Sequence, residues 1–270
     1  APDAPLRFDE SLDDSEFTWK VSSIFTPAKQ WRLYATVSTG YKAGGFDGST
    51  ILTPQEALPI DSETLVAYEL GAKYRSDNGL LSAEVNLFNY DFEDYQSTAK
   101  LMVAGASTNI RANVADATIK GAELAFTLSP LEGLEIRGGG ALISSEIDNF
   151  QGEDANIEGN DLPFSPDLSW NLAVVYATPV SEQFTLRTQL DASNTGEHYQ
   201  TIDNNDLVDG YTVTNARIAL EAEDWEVALW VRNLADKDYN VGFFPTTGLT
   251  PDTFLKGAPR TFGVNFMMNF

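Results

Sequence analysis

The residues best able to do chemistry are few. The 270-residue chain holds one histidine, His198, in Gly196–Gln200 (GEHYQ), and no cysteine. Thiolate metal sites, cysteine nucleophiles, disulfide frameworks and a His-pair zinc site are therefore excluded. Asp203–Gly210 (DNNDLVDG) is similar in composition to a calcium loop. Its spacing fails the EF-hand pattern and no glutamate closes it, so an acidic turn is expected. Asp91, Glu93 and Asp94 crowd together, but 40 Asp+Glu make such groups too common to signal acid–base catalysis. No G-x-S-x-G, H-E-x-x-H or phosphate loop occurs, and no nucleophile–base pair can be assembled. The chain is read as a non-enzyme with no catalytic residue, no metal ligand and no cofactor. The remaining candidates are aromatic: Tyr41, Phe46, Tyr95, Tyr199, Phe243, Phe244 and Phe254. Rigid flat faces of this kind contact a bulky ligand at low entropic cost.

The elements that must position these aromatics are strands. Apolar residues recur with period two, the mark of a strand with two unlike faces. Phe262, Val264, Phe266, Met268 and Phe270 share one face of the last segment, and Phe184, Leu186, Leu190 and Ala192 one face of another. In segment 80–96 the phase changes from Leu81, Val85 and Leu87 to Phe88, Tyr90 and Phe92, which predicts a bulge or bend near Leu87. Eleven strands are expected, at about 16–26, 31–42, 64–76, 80–98, 111–128, 134–147, 168–178, 184–199, 211–222, 225–236 and 258–270. Short turns rich in Pro, Gly, Asn and Asp alternate with long connections at about 43–63, 99–110, 148–167, 200–210 and 237–257.

Alternating short and long connections place all long ones at one rim of an antiparallel up-and-down barrel. Transmembrane barrels are built that way, with short inner turns and long outer loops. Mean hydropathy is −0.22, and no run of about 18 apolar residues occurs, so no transmembrane helix is expected. Membrane strands escape that test because their hydrophobicity alternates. The apolar face is expected to meet lipid, with Lys73, Glu123, Arg137, Arg187, Gln189, Asp191 and Arg217 facing the lumen. Trp19, Trp31, Trp170, Trp225, Tyr74 and Tyr176 near strand ends suit aromatic girdles. The competing pattern reading is a soluble β-sandwich with one solvated face. An odd strand number with the last strand running inward sets the chain's start outside. Residues 1–15 (APDAPLRFDESLDDS) are thus read as an acidic extracellular loop remnant, and 16–270 as the C-terminal part of a larger barrel.

The net charge, 17 − 40 = −23, makes nucleic acid an unsuitable partner. Residues 146–161 carry Glu146, Asp148, Glu153, Asp154, Glu158 and Asp161 and no base. Such a rim suits solubility, or divalent-cation bridging to lipopolysaccharide. Gly138–Gly140 inside a strand suggests a bend or the close approach of another backbone. Asn233 and Asp236 are expected to cap a loop through local side-chain bonds.

Five segments follow one another along the chain: Leu33–Phe46 (LYATVSTGYKAGGF), Tyr68–Tyr74 (YELGAKY, an E-x-G-x-K strand), Asn113–Glu123 (NVADATIKGAE), Val231–Tyr239 (VRNLADKDY) and Pro259–Phe270 (PRTFGVNFMMNF). In kind and order they resemble segments of the C-terminal barrel half of TonB-dependent outer-membrane receptors. The resemblance implies an all-β transmembrane barrel whose eleven strands are the C-terminal half of 22. It also implies uptake of a scarce ligand, mostly a ferric siderophore, with TonB acting through an N-terminal plug that these residues do not contain. It further implies that Phe262, Val264, Phe266, Met268 and Phe270 form a terminal-strand signal for the barrel assembly machinery. Membrane lipid and lipopolysaccharide are the other expected partners. The alternative is a passive porin-like or structural barrel.

Overall fold

The computed structural model describes residues 11–46, 59–103, 106–150, 156–244 and 253–269. In chain order the strands are β1 (Lys20–Ala28), β2 (Trp31–Lys42), β3 (Gly45–Phe46), β4 (Pro59–Ile60), β5 (Glu63–Arg75) and β6 (Leu81–Val103). They continue as β7 (Ala106–Leu131), β8 (Leu134–Asp148), β9 (Leu168–Pro179), β10 (Thr185–Thr195), β11 (His198–Tyr199) and β12 (Leu207–Val208). The last five are β13 (Tyr211–Glu221), β14 (Trp225–Arg232), β15 (Asn240–Phe244), β16 (Thr253–Lys256) and β17 (Thr261–Met268). Among the described residues there is no helix.

Eleven of these strands form one sheet in the order β1-β2-β5-β6-β7-β8-β9-β10-β13-β14-β17. Each neighbouring pair is antiparallel. β1 and β17 are the two edges and do not pair with each other, so the wall is open. The other six strands make three two-stranded ribbons, β3–β4, β11–β12 and β15–β16, inside the long connections.

Strict register across the sheet carries one apolar row and one polar row from strand to strand. Ile218, Leu229 and Val264 stand in line across β13, β14 and β17, as do Leu220, Val227 and Phe266. Leu172, Leu190, Val227, Leu229, Val264 and Phe266 are all exposed, and Phe184, Leu186 and Val174 are partly so. None packs into a core, which removes the sandwich reading. Side chains of this kind left bare on a sheet face need a non-aqueous neighbour.

The opposite face is polar and internally paired. Lys73 Nζ lies 2.7 Å from Glu84 and Arg137 Nε 3.0 Å from Glu135. Arg187 Nε donates to Glu221 at 2.5 Å, and Arg217 pairs with Glu226. Trp230 also lies on this face, where its indole N–H donates to Asn265 Oδ1 at 3.1 Å. The indole's polar edge explains why it breaks the apolar alternation of β14.

Aromatic rings bound the apolar face. At the short-turn end Trp31 and Tyr74 pack with centroids 4.8 Å apart, and Phe184 and Trp225 at 5.7 Å. At the long-loop end stand Trp19, which pairs through its backbone with Thr39, and Trp170. From Trp31 to Thr39 is a rise of about 26 Å at about 3.3 Å per residue. At a strand tilt of about 40° that is an upright height of about 20 Å, close to the apolar band of a membrane barrel.

Two expectations need correction. The register of β6 runs unbroken from Ser82 to Phe92 against both neighbours, so there is no bulge at Leu87. The irregularity lies at Phe92–Gln96, where Asp94 adopts φ 55°. The apparent change of phase arises because Phe88 and Tyr90 sit on the polar face, Tyr90 donating its hydroxyl to Glu69 at 2.9 Å. Second, much of 99–110 is not a loop: β6 and β7 extend as one hairpin and pair up to Val103↔Ala106. Through Gly138–Gly140 the pairing keeps one register on both sides. A Cβ at Gly138 would stand 2.7 Å from the ring of its cross-strand partner Phe126. The same rule holds where Tyr34 covers Gly71, Phe88 covers Gly121 and Trp230 covers Gly263.

Asn233 closes the turn after β14 as expected of a cap. It is 2 % exposed with φ 49°. Its Nδ2 donates to Lys237 O at 2.8 Å and Ala258 O at 3.1 Å, while its Oδ1 accepts from Lys237 N at 2.8 Å. Asp236 in turn accepts from Arg260 N at 3.1 Å. Asn233→Ala strands these groups and is expected to cost on the order of 2 kcal/mol or more. Asn233→Gly, which suits the positive φ, should recover a small part only. The thermal midpoint of the detergent-solubilised barrel measures both.

Candidate functional site

The long-loop end of the polar face is where loops fold back on the wall. Ile147, Ala115, Ala117 and Val114 of the wall are buried beneath Ile157, Leu162 and Ile202 of two long connections. Phe92, Tyr95 and Phe150 pack around the cluster. Backbone bonds tie the first connection to β8: Ile147 N donates to Asn160 O, and Gly159 N to Ile147 O, both at 2.9 Å. Leu162 N donates to the buried Ser145 Oγ at 3.0 Å. These apolar residues, isolated in acidic loops, were the available signal for an inward fold, and period-two reading passes over them.

The two connections are also clipped to each other. Asn160 Nδ2 donates to Ile202 O at 2.9 Å, and Phe164 N to Tyr199 O at 2.8 Å. With its amide oriented by the hydrogen-bond network, Asn204 donates to Asp161 O at 3.1 Å and accepts from Asp161 N at 2.8 Å. Burial and then the neighbouring Asp167 push the Asp161 carboxyl above the usual carboxylate range. Asp203 accepts from Thr201 Oγ1 at 2.6 Å and Asn205 Nδ2 at 2.9 Å. Burial raises its pKa, but these hydrogen bonds outweigh that and hold it low. Residues 201–205 are thus the acidic turn expected, closed on itself by Asx-type bonds.

A second polar knot lies beside it. Gln96 is buried, and its Nε2 donates to Ala43 O at 3.1 Å and Asp61 O at 2.9 Å. Its backbone N–H donates to Glu63 at 2.7 Å. Asn113, the first residue of NVADATIKGAE, donates to Asp61 O and Asp94 O at 2.9 and 2.7 Å. The family-like asparagine therefore fastens loops to the wall.

Below the folded loops the polar face is hollowed. Ala125, Gly139, Ala141, Ser169 and Ser193 have side chains too small to fill it. The resulting groove measures about 530 Å³, with Glu84, Glu123 and Asn171 on its lining.

The candidate aromatics do not share one place. Tyr41, in the row of β2 that holds Leu33 and Val37, is hydrogen-bonded to Asp14, whereas Phe46 of β3 and Tyr95 lie on segments joined by the Gln96 bonds. Tyr95 meets Phe92 edge-on at 5.9 Å, and burial, then Glu63, push its phenol upward. Tyr199 sits in β11, and Phe243 and Phe254 face each other at 5.2 Å across β15–β16, the ribbon that touches β12. Phe244 ends β15. The structure does not bring the seven to one point. Phe262, Val264, Phe266 and Met268 line β17, and Phe270 lies outside the described residues. His198 stands with its ring 6.2 Å from Phe164, a residue the sequence pattern did not single out.

Comparison with known proteins places this architecture. Residues 3–234 match the model of the TonB dependent receptor-like beta-barrel family. The pesticin receptor of Yersinia pestis is 25 % identical over 264 residues, covering 96 % of this chain and 37 % of the relative. The crystal structure of the ferric yersiniabactin uptake receptor FyuA from Yersinia pestis superposes with TM-score 0.80 at 23 % identity, over 93 % of this chain and 37 % of that one. The siderophore receptor PiuA from Acinetobacter baumannii gives TM-score 0.71 at 18 % identity, over 92 % and 35 %. The chain thus spans about 37 % of the length of the curated relatives it matches.

Proposed function

The chain belongs to the TonB-dependent receptor-like β-barrel family, and on that premise we propose that it forms part of the wall of an outer-membrane receptor taking up an iron chelate, most simply a ferric siderophore. The observation that carries this reading is the two-faced sheet: an apolar face fit for lipid, and a polar face hollowed beneath folded loops. The two solved structures named above, a ferric yersiniabactin uptake receptor and a siderophore receptor, support the iron chelate as cargo. TonB acts, in this reading, through the plug that family members carry. Residues 1–15 belong to the outer-loop side. In support, Asp14 Oδ2 accepts from Gly44 N at 2.8 Å, at the long-loop end of β2. Lipid and lipopolysaccharide surround the apolar face, and the assembly machinery reads the terminal strand.

The test uses the full-length protein in iron-starved cells. Accumulation of an iron-55 ferric siderophore should saturate, and should vanish when TonB is deleted. Passage that is linear in concentration and indifferent to TonB would make the barrel a passive pore.

A further inference from the structure

The hairpin of β6 and β7 continues past both of its neighbours. Its outermost pair with β5 is Thr64↔Glu93, and its outermost pair with β8 is Asp116↔Asp148. Beyond these the two strands keep pairing with each other, from Gln96↔Asn113 to Val103↔Ala106, with no shift of register. From Gln96 to the tip the arm is about 24 Å long, at about 3.4 Å per residue. Among the described residues no strand pairs with either edge of it. Two strands alone are marginal in water, but the base of this pair is fastened. Gln96 is buried and donates to Ala43 O and Asp61 O. Asn113 accepts from Asp61 N at 2.7 Å and donates to Asp94 O at 2.7 Å.

A strand edge offers N–H and C=O groups in alternation, and proteins guard such edges with proline, bulges or lysine. Residues 96–113 contain no proline. The β6 half carries Lys100, whereas residues 106–110 of the β7 half (ASTNI) carry no charge. The edge left without a guard is therefore that of β7. The charge pattern points to what it fits. The chain has 40 Asp+Glu against 17 Lys+Arg, yet no acidic residue occurs from 95 to 115, where Lys100 and Arg111 fall. The arm is a basic projection on an acidic molecule.

An occupant must present donors and acceptors at the repeat of a strand, with negative charge beside them. A lipopolysaccharide core brings the charge without that repeat. A second copy of the arm brings the repeat but doubles the positive charge. We propose that the β7 edge of the arm, residues 106–111, takes an extended acidic segment of another cell-surface protein by strand addition. The proposal needs only the outward placement of the long-loop end and is independent of the cargo.

The test uses the full-length protein in lipid vesicles and three fluorescent peptides: one of alternating valine and glutamate, its copy N-methylated at alternate amides, and its copy with lysine for glutamate. Anisotropy should show the acidic peptide binding tightest. N-methylation should weaken it about tenfold or more, as expected when two or more edge hydrogen bonds cannot form. Lys100→Glu should weaken it about 2- to 5-fold, the range for an exposed charge pair. Hydrogen exchange at residues 106–111 should slow on binding, while exchange in the wall strands stays as it was. No binding of the acidic peptide, equal binding of the N-methylated copy, or equal binding of the lysine copy would each overturn the proposal. So would amides at 106–111 that exchange slowly before any peptide is added, or that purified lipopolysaccharide protects and the peptide does not.

Discussion

Leu229→Arg is expected to lower the stability of the bilayer-inserted barrel by about 2–4 kcal/mol, the cost of a cation on the lipid face near the midplane. Leu229 is 54 % exposed and stands between Ile218 and Val264 in register, far from either aromatic girdle. Arginine there has no polar neighbour on its face. The same charge one step away on the other face meets water and polar groups. Asn265→Arg, which loses only the Trp230 bond, is expected to shift stability by about 1 kcal/mol or less. Urea titration of the protein refolded into lipid vesicles gives both values. Equal costs at the two positions would refute the assignment of faces.

Gly71→Val should rank close behind. A Cβ at Gly71 would come within 2.1 Å of Tyr34 Cζ, because the Tyr34 ring lies flat across the glycine from the adjacent strand. From there its hydroxyl reaches Glu84 Oε1 at 3.2 Å and lies 3.3 Å from Asn86 Oδ1, and Lys73 Nζ sits 5.6 Å above the ring. Valine must push the ring off this seat. An overpacking loss of about 1–3 kcal/mol is expected. Tyr34→Ala in the same chain should recover most of it, since the clash partner is gone. The readout is the temperature at which the heat-modifiable form is lost. A double variant no better than Gly71→Val would show that glycine is needed there for another reason.

These two sites also show what the sequence could and could not reveal. The eleven wall strands were legible because register is set by alternation, and a one-residue slip would turn Leu229 inward and Trp230 outward. The two-faced wall followed from the same pattern, and the open sheet from the odd number of strands. Aromatic residues on the polar face were the main source of error. Phe88 and Tyr90 read as apolar, and so a bulge was placed at Leu87 when the break lies at Phe92–Gln96. Hydropathy does not register that Phe88 covers Gly121, or that Tyr90 has a carboxylate partner in Glu69. Gly138 was conspicuous in sequence but its reason was not, because the ring it accommodates, Phe126, lies on another strand.

The candidate site was less legible. Phe46 and Tyr95 lie on segments joined by the Gln96 bonds, and Tyr199, Phe243 and Phe254 on β11–β12 and β15–β16, but only tertiary contacts reveal that grouping. Ile157, Leu162 and Ile202 are ordinary residues in acidic loops until the fold buries them together. Phe164 gives no local signal, since its distinguishing feature is a backbone angle. Asn233 was legible because an asparagine in a short polar turn is a cap by its own chemistry.

The most direct test of the two-faced wall uses the absence of cysteine from these 270 residues. Single cysteines placed in turn from Leu186 to Ser193 along β10, each carrying a nitroxide, report collision with oxygen from the bilayer and with a nickel chelate from water. The register of β10 predicts oxygen-accessible labels at Leu186, Thr188, Leu190 and Ala192, and labels shielded from the bilayer at Arg187, Gln189, Asp191 and Ser193. A period-two profile in that phase is the expected result in the full-length protein in vesicles. A flat profile, or one with the phase reversed, would contradict the account.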